Sequence, residues 1–219
     1  GLYRMNYNEV LDESYAGVEV INLSWMSGCA FNIYQQMAID EVYNNGSFIV
    51  SAAGNGSSCG GPDSLVYPSA YNHVFSVTSI GELDNHERTL GDPNSTHQHN
   101  ASVDLCAPGY EVWISPSENW EIPSSGTSFA APFVSGTVAL MLSVNPCLSI
   151  DDISHILKVT SVNIDALNPD YVGLIGEGRL NAAAAVEMAA GYNAITLNTN
   201  YSLSCGTSGG QIEINATGG

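Results

Sequence analysis

Positively charged residues are scarce in this sequence. Four lysines and arginines stand against 22 aspartates and glutamates in 219 residues, which gives a formal net charge of −18 at pH 7. Because proteins bind nucleic acid mainly through cationic contacts to phosphate, we expect no nucleic-acid partner. The acidic residues are scattered along the chain, as is typical of a solvated surface.

Dedicated metal-binding patterns are also lacking. The sequence has no EF-hand loop, and the stretch from Gly91 to Ser95 is more typical of a turn than of a metal loop. His97 and His99 could ligate a metal, but two histidines in a polar loop are usually solvated. We therefore predict no metal site and no certain cofactor, with structural calcium left open.

Cysteines are few, and none are paired closely in sequence. The absence of a Cys-x-x-Cys spacing argues against zinc and thioredoxin-like chemistry. The cysteines are Cys29, Cys59, Cys106, Cys147 and Cys205.

Long apolar runs are absent as well. No run of about 18 apolar residues is evident, so we expect no membrane span, and no signal peptide is recognisable. The hydrophobic content of 44% is nevertheless sufficient for one core.

Short apolar runs alternate with helical patterns. Val18–Ser24 and Ser47–Ala53 are predicted to be strands buried on both faces, with a helix over Phe31–Asn45 between them. The remaining predicted elements are a strand at Val74–Ile80 and helices at Ser128–Val144, Ile150–Thr160 and Leu180–Ala190. This alternation predicts an α/β fold with a mostly parallel sheet flanked by helices. Ligands should bind at the carboxyl ends of its strands.

The stretch from Ser125 to Val134 carries the most chemical information. Small, turn-forming residues precede a segment that is apolar around nearly its whole circumference, which predicts a buried helix with Pro132 in its first turn. Ser128 would then lie at the positive end of a core helix, where backbone N–H groups stabilise developing negative charge. A serine there suits acyl transfer, although an ordinary helix N-cap is the alternative.

The segment Gly-Thr-Ser-Phe-Ala-Ala-Pro resembles the nucleophile motif Gly-Thr-Ser-Met-Ala-x-Pro of subtilisin-like serine proteases. Other segments match that family in the same order: Val20–Trp25, Ser51–Asn55, Tyr67–Ala70, Val74–Val77, Asp104–Gly109 and Gly178–Ala182. The resemblance covers about Val18 to Ala190 and implies the three-layer subtilisin-like fold, with protein or peptide substrates.

The resemblance implies a role for two residues in catalysis. Ser128 would be the nucleophile, and Asn55 would donate its side-chain amide to the oxyanion together with the backbone N–H of Ser128. Taken alone, Asn55 in Gly-Asn-Gly is more typical of a turn. An Asn at this place argues against a sedolisin, which has an Asp there.

The resemblance also implies a substrate-binding groove. Ser24, Trp25 and Met26 would present backbone to an extended peptide, although Trp25 could equally be a packed core aromatic. Val66 would form a shallow, apolar base of the specificity pocket. Further substrate-binding residues are expected at Ala53, Gly54 and Thr127.

The histidine and aspartate that complete a subtilase triad are not recognisable. No His-Gly pair occurs, and none of the five histidines stands in the family's context. We therefore expect a fragment that lacks the first third of the catalytic domain, inactive alone, with neither His73 nor His155 filling the place of the missing base. The alternative is a pseudoprotease or adhesin module that keeps the fold for binding.

The cysteines and the C-terminal end carry further expectations. Cys29 and Cys59 follow the two segments that wall the specificity pocket and could form a disulfide, and Cys106 is expected to be an inert core thiol. We assign residues 1–191 to the partial catalytic domain and 192–219 to a β-rich tail with strands at Thr196–Ser204 and Gln211–Ala216. The tail resembles the start of an SprB-type or related Ig-like repeat, although it could instead end the protease domain. A secreted or surface-attached bacterial protein is expected.

Overall fold

A computed structural model describes residues 6–117 and 120–192, together with the backbone of 196–202 and 211–217. Four parallel strands form the central sheet in the spatial order β1-β2-β3-β4. They are β1 (Val20–Leu23), β2 (Phe48–Ala52), β3 (Val74–Ile80) and β4 (Leu105–Pro108). Every residue of β2 and β3 is buried, as expected for central strands covered on both faces. The predicted α/β fold with a parallel sheet is therefore confirmed.

Helices cover both faces of this sheet. Within the described residues the α-helices are α1 (Tyr7–Tyr15), α2 (Ile33–Asn44), α3 (Thr127–Val144), α4 (Ile150–Val159) and α5 (Ala182–Gly191). Successive residues of β2 point to opposite faces, so Ile49 packs with α1 and α2 while Val50 packs with α3, α4 and α5. Each face of the sheet thus packs in its own apolar cluster, and the sheet lies between two layers of helices.

Strand β4, helix α1 and the hairpin that follows β4 were not predicted from the sequence. Helix α1 begins with a capping box, in which the Asn6 side chain accepts from the Glu9 N–H and the Glu9 carboxylate accepts from the Asn6 N–H. An antiparallel hairpin, β5 (Val112–Ser117) and β6 (Trp120–Ser124), leads into α3. The hairpin is mostly exposed and therefore lacks the apolar run by which the core strands were recognised.

Helix α3 contacts all four strands of the central sheet, as a core helix does. Pro132 lies inside α3, not in its first turn as predicted. Because proline has no N–H, the carbonyl of Ser128 lacks its helical donor. The hydroxyl of Ser24 donates to that carbonyl instead, at 2.9 Å.

The apolar composition of α3 bears on the predicted absence of a membrane span. By length and composition α3 could cross a membrane, contrary to the expectation that no stretch would qualify. The core helix of a globular domain meets the same criterion, so this is weak evidence, and the absence of a span stays a prediction.

The C-terminal segments form a separate antiparallel pair. Strand β7 (Thr196–Ser202) pairs with β8 (Gln211–Thr217) in a register that sets Thr196 opposite Thr217. The intervening residues 203–210, which include Cys205, lie outside the described residues, as do 218–219. The identity of this tail as a repeat stays a prediction.

Candidate active site

Six of the nine predicted site residues line one cavity at the carboxyl ends of β1 and β2, where α3 begins. This cavity of about 140 Å³ is lined by Trp25, Met26, Ala52, Gly54, Asn55, Ser58, Thr127 and Ser128. Ala52 and Ser58 were not predicted, although Ala52 ends the strand that precedes the Asn55 loop. Ala53 and Val66 are buried behind this surface and do not line the cavity.

Asn55 is fixed through Thr127, the neighbour of Ser128. The side-chain oxygen of Asn55 accepts from the backbone N–H of Thr127 at 2.9 Å and from its hydroxyl at 3.0 Å. The same hydroxyl accepts from the N–H of Gly54 at 3.0 Å. The side-chain oxygen of the exposed Asn55 thus accepts two hydrogen bonds, whereas its NH₂ group has no hydrogen-bond partner among the described residues. This geometry leaves a hydrogen-bond donor at the cavity.

Ser128 occupies the second position of α3, at the positive end of the helix dipole. Its half-buried hydroxyl donates to the carbonyl of Ser24 at 3.3 Å, while the Ser24 hydroxyl donates back to the Ser128 carbonyl. These reciprocal contacts join the end of β1 to the start of α3. They place Ser24 beside Ser128, although Ser24 does not line the cavity.

Trp25 is a partly buried aromatic, and its role in binding an extended peptide stays a prediction. Its ring packs edge-on against Tyr7, with ring centroids 5.4 Å apart, and it also lines the cavity. The indole N–H is buried without a hydrogen-bond partner in the described part of the chain. Met26 next to it is about half exposed.

Val66 supports the floor beneath Gly54. A Cβ atom added at Gly54 would lie 3.2 Å from a methyl carbon of Val66, so the two residues are in close contact. Gly54 itself has φ +118°, a conformation that side chains rarely adopt. Val66 therefore lies buried beneath Gly54, and its place at the base of a specificity pocket stays a prediction.

The prediction that His97 and His99 are solvated is wrong, and His86 is buried with them. The exposed fractions of His86, His97 and His99 are 0%, 9% and 6%, because the chain between β3 and β4 folds inward and surrounds them with acceptors. His86 donates from Nδ1 to the Ser79 carbonyl and lies 3.0 Å from His99 through Nε2. His99 Nε2 is 3.1 Å from an oxygen of Asp63.

Burial changes the acid–base behaviour of this histidine cluster. Loss of hydration disfavours the charged imidazolium and lowers the pKa of both His86 and His97 to about 4. His97 contacts the Ser79 hydroxyl at 2.9 Å through Nδ1. Within the described ranges, no group of three or more His, Cys, Asp or Glu side chains is arranged to hold a metal ion.

None of the five histidines, all of which are described, hydrogen-bonds to Ser128. His73 pairs with Asp40 at 3.0 Å and stacks on Tyr43 of α2. His155 is exposed on α4. Neither residue supplies a base to Ser128.

Cys29 and Cys59 form a disulfide with their Cα atoms 5.2 Å apart. The sequence alone did not decide whether this bond forms. It links the loop after β1 to the loop after β2, and thus joins two walls of the cavity. Cys106 is a free, fully buried thiol, as predicted, and burial raises its pKa.

Comparison with known proteins agrees with this arrangement. The peptidase S8 profile, described as the subtilase family, matches residues 1–202. Subtilisin DY of Bacillus licheniformis is 32% identical over 171 residues, which cover 78% of this chain and 58% of that protein. Thermitase of Thermoactinomyces vulgaris is 30% identical over 171 residues, covering 78% of this chain and 55% of that protein. The chain thus spans little more than half the length of these curated relatives.

Solved structures give the same fold. The prenylagaramide maturation protease PagA superimposes with a TM-score of 0.70 at 21% identity, covering 85% of this chain and 67% of that one. A protease from Pseudoalteromonas arctica PAMC 21717 gives a TM-score of 0.62 at 28% identity, covering 78% of this chain and 51% of that one. With the family profile matching nearly the whole length, the chain belongs to the subtilase family.

Proposed function

We propose that this chain is the part of a serine endopeptidase that supplies the nucleophile and the oxyanion donors. Ser128 attacks the scissile carbonyl of a protein or peptide substrate and forms an acyl-enzyme. The side-chain amide of Asn55 and the backbone N–H of Ser128 stabilise the oxyanion. In this proposal residues 1–191 belong to the catalytic domain, and 192–219 begin a separate β-rich repeat.

The observation that carries the proposal is the hydrogen-bonded link from Asn55 to Thr127. It fixes a residue of the β2 loop to the neighbour of Ser128, although the two are 72 positions apart in sequence. Preorganised donors beside a nucleophile are what acyl transfer requires, because they stabilise charge that develops only in the transition state. A binding module would have no need of this arrangement.

The general base must come from outside the described residues, since Ser128 donates to a backbone carbonyl and to no histidine. We therefore propose that the 219-residue chain alone is inactive. The full-length protein would supply an aspartate and a histidine from an upstream segment. The disulfide between Cys29 and Cys59 supports an oxidising location, in keeping with secretion or attachment to a bacterial surface.

The second candidate function is a pseudoprotease or surface-binding module. The lack of a histidine at Ser128 in the described part of the chain favours it. The intact network of Gly54, Asn55 and Thr127 favours the protease.

Ser128→Ala in the full-length protein tests the proposal. We expect it to abolish peptide hydrolysis and covalent labelling by a fluorophosphonate, because both need the serine oxygen. Ser143→Ala, at an exposed position on the same helix, is the matched control and should leave both unchanged. Labelling that persists in Ser128→Ala would place the nucleophile elsewhere. Absence of labelling in the unmodified full-length protein would favour the pseudoprotease.

A further inference from the structure

Gln98 is a fully buried polar residue between β3 and β4 that the proposed reaction does not use. Its side-chain oxygen accepts from the N–H of Gly56 at 2.5 Å. Its side-chain NH₂ donates to the carbonyls of Ser58 at 3.1 Å and Gly61 at 3.0 Å. All three partners lie in the loop that carries Asn55.

The backbone of Gln98 extends this contact to the other side of Asn55. Its N–H donates to the carbonyl of Gly54 at 3.1 Å, and its own carbonyl accepts from the hydroxyl of Thr78 on β3. Gln98 therefore holds the residue before Asn55 and the residue after it. Through Thr78 it is itself anchored to the central sheet.

The packing around Gln98 leaves the loop little freedom to move toward it. A Cβ atom at Gly54 would lie 2.9 Å from the side-chain oxygen of Gln98. Gly56, at φ +77°, is equally confined, because a Cβ there would overlap the carbonyl of Thr96. Glycine thus permits the close approach: Gln98 occupies the space beside Gly54, and the Thr96 carbonyl occupies the space beside Gly56.

We infer that Gln98 is a positioning residue for the oxyanion donor Asn55, an inference that rests on the proposed function. Thr127 orients the side-chain amide of Asn55, and Gln98 fixes the backbone from which that side chain extends. Both constraints are needed, because an oxyanion donor must hold its position to within a fraction of an ångström. Gln98 touches no substrate and acts only through the loop.

Gln36 offers a matched control, because it is a second buried glutamine, 6% exposed, whose amide is also fully used. It donates to Asp40 at 2.7 Å and to the Asn72 carbonyl at 3.2 Å, and accepts from the Asn72 N–H at 3.1 Å. These partners lie on α2 and before β3, not in the Asn55 loop. Replacing either glutamine by methionine removes a similar set of bonds and should lower the melting temperature similarly.

The test compares Gln98→Met with Gln36→Met in the full-length protein. We expect Gln98→Met to lower kcat about tenfold or more with little change in KM. The ceiling is the roughly 10²–10³-fold effect of losing one oxyanion donor, a magnitude known for subtilisin. Gln36→Met should leave kcat unchanged.

A double-mutant cycle with Asn55→Ala separates positioning from general destabilisation. Once Asn55 has been removed, Gln98→Met should lower kcat less than twofold further, because its effect passes through Asn55. A full additional loss in the double variant, or an equal loss in Gln36→Met, would overturn the inference. If Ser128→Ala left turnover unchanged, the proposed function itself would fail, whatever Gln98 does.

Hydrogen exchange gives a readout that needs no activity. In the 219-residue chain, Gln98→Met should accelerate amide exchange in residues 54–61 relative to Gln36→Met. Unchanged protection there would overturn the inference. If Gln98→Met does not fold, Gln98→Asn replaces it in both experiments, because it adds no buried charge and its shorter side chain withdraws the amide from the loop.

Discussion

The two segments that supply Ser128 and Asn55 differ in what holds them against the sheet. Ser128 lies in the first turn of α3, whose inner face is buried among apolar side chains such as Val134, Val138 and Met141. The Asn55 loop is held by hydrogen bonds with Thr127 and Gln98: Gly54 and Gly56 donate to their side chains, and the Thr127 N–H donates to Asn55. Hydrophobic burial tolerates small shifts of position, whereas hydrogen bonds require defined distances and angles. The helix that carries the nucleophile is therefore held mainly by hydrophobic burial, and the loop that carries the oxyanion donor is held mainly by directional hydrogen bonds.

The largest expected loss of stability comes from a substitution in α3. Met141→Ala empties a fully buried site and should lower the free energy of unfolding by about 2–5 kcal/mol. Leu140→Ala, next to it but 56% exposed, should change the free energy of unfolding by about 0.5 kcal/mol or less. Urea unfolding of both variants measures the difference. Equal losses would show that burial does not hold α3 in place.

This difference also explains which parts of the structure were predictable from the sequence. The runs that became β1, β2, β3 and α3 were recognisable because continuous apolar residues mark buried elements. Gln98 was missed, since its partner Gly56 is 42 residues away and a polar residue in a polar segment gives no signal of burial. His97 and His99 were predicted to be solvated for the same reason. Long-range hydrogen bonds leave no periodicity to detect.

An intermediate effect is expected where the Asn55 loop approaches the backbone. Gly56 and Gly91 have similar φ values, +77° and +82°, so replacement by alanine strains the backbone alike at both positions. Only at Gly56 does the new Cβ meet a neighbour, the carbonyl of Thr96. We expect Gly56→Ala to lower the free energy of unfolding by about 1–3 kcal/mol more than Gly91→Ala. If urea unfolding showed equal losses of stability in the two variants, the loop would be able to relax around the new Cβ atom at Gly56.

The smallest effect concerns the buried histidines of the 81–100 segment, which also carries Gln98. Burial lowers the pKa of His97 to about 4, below the ordinary 6.5 that applies in the unfolded chain. Between these two values the unfolded chain binds a proton that the folded chain does not. The contribution of neutral His97 to the free energy of unfolding is therefore fully present above pH 6.5 and is lost as the pH decreases toward 4.

One pH unit below 6.5, the contribution of His97 to this loss is about 1.4 kcal/mol. His97→Gln removes the titrating group, so between pH 7.5 and pH 5.5 it should lose about 1.4 kcal/mol less stability than the unmodified chain does. Ser143→Ala, at an exposed position on α3, removes no titrating group and should follow the unmodified chain. Urea unfolding at the two pH values gives both comparisons. An undiminished pH dependence in His97→Gln would show that its imidazole is not held neutral. The apolar residues that hold α3 carry no titrating group, so this part of the pH dependence arises in the segment that holds the Asn55 loop.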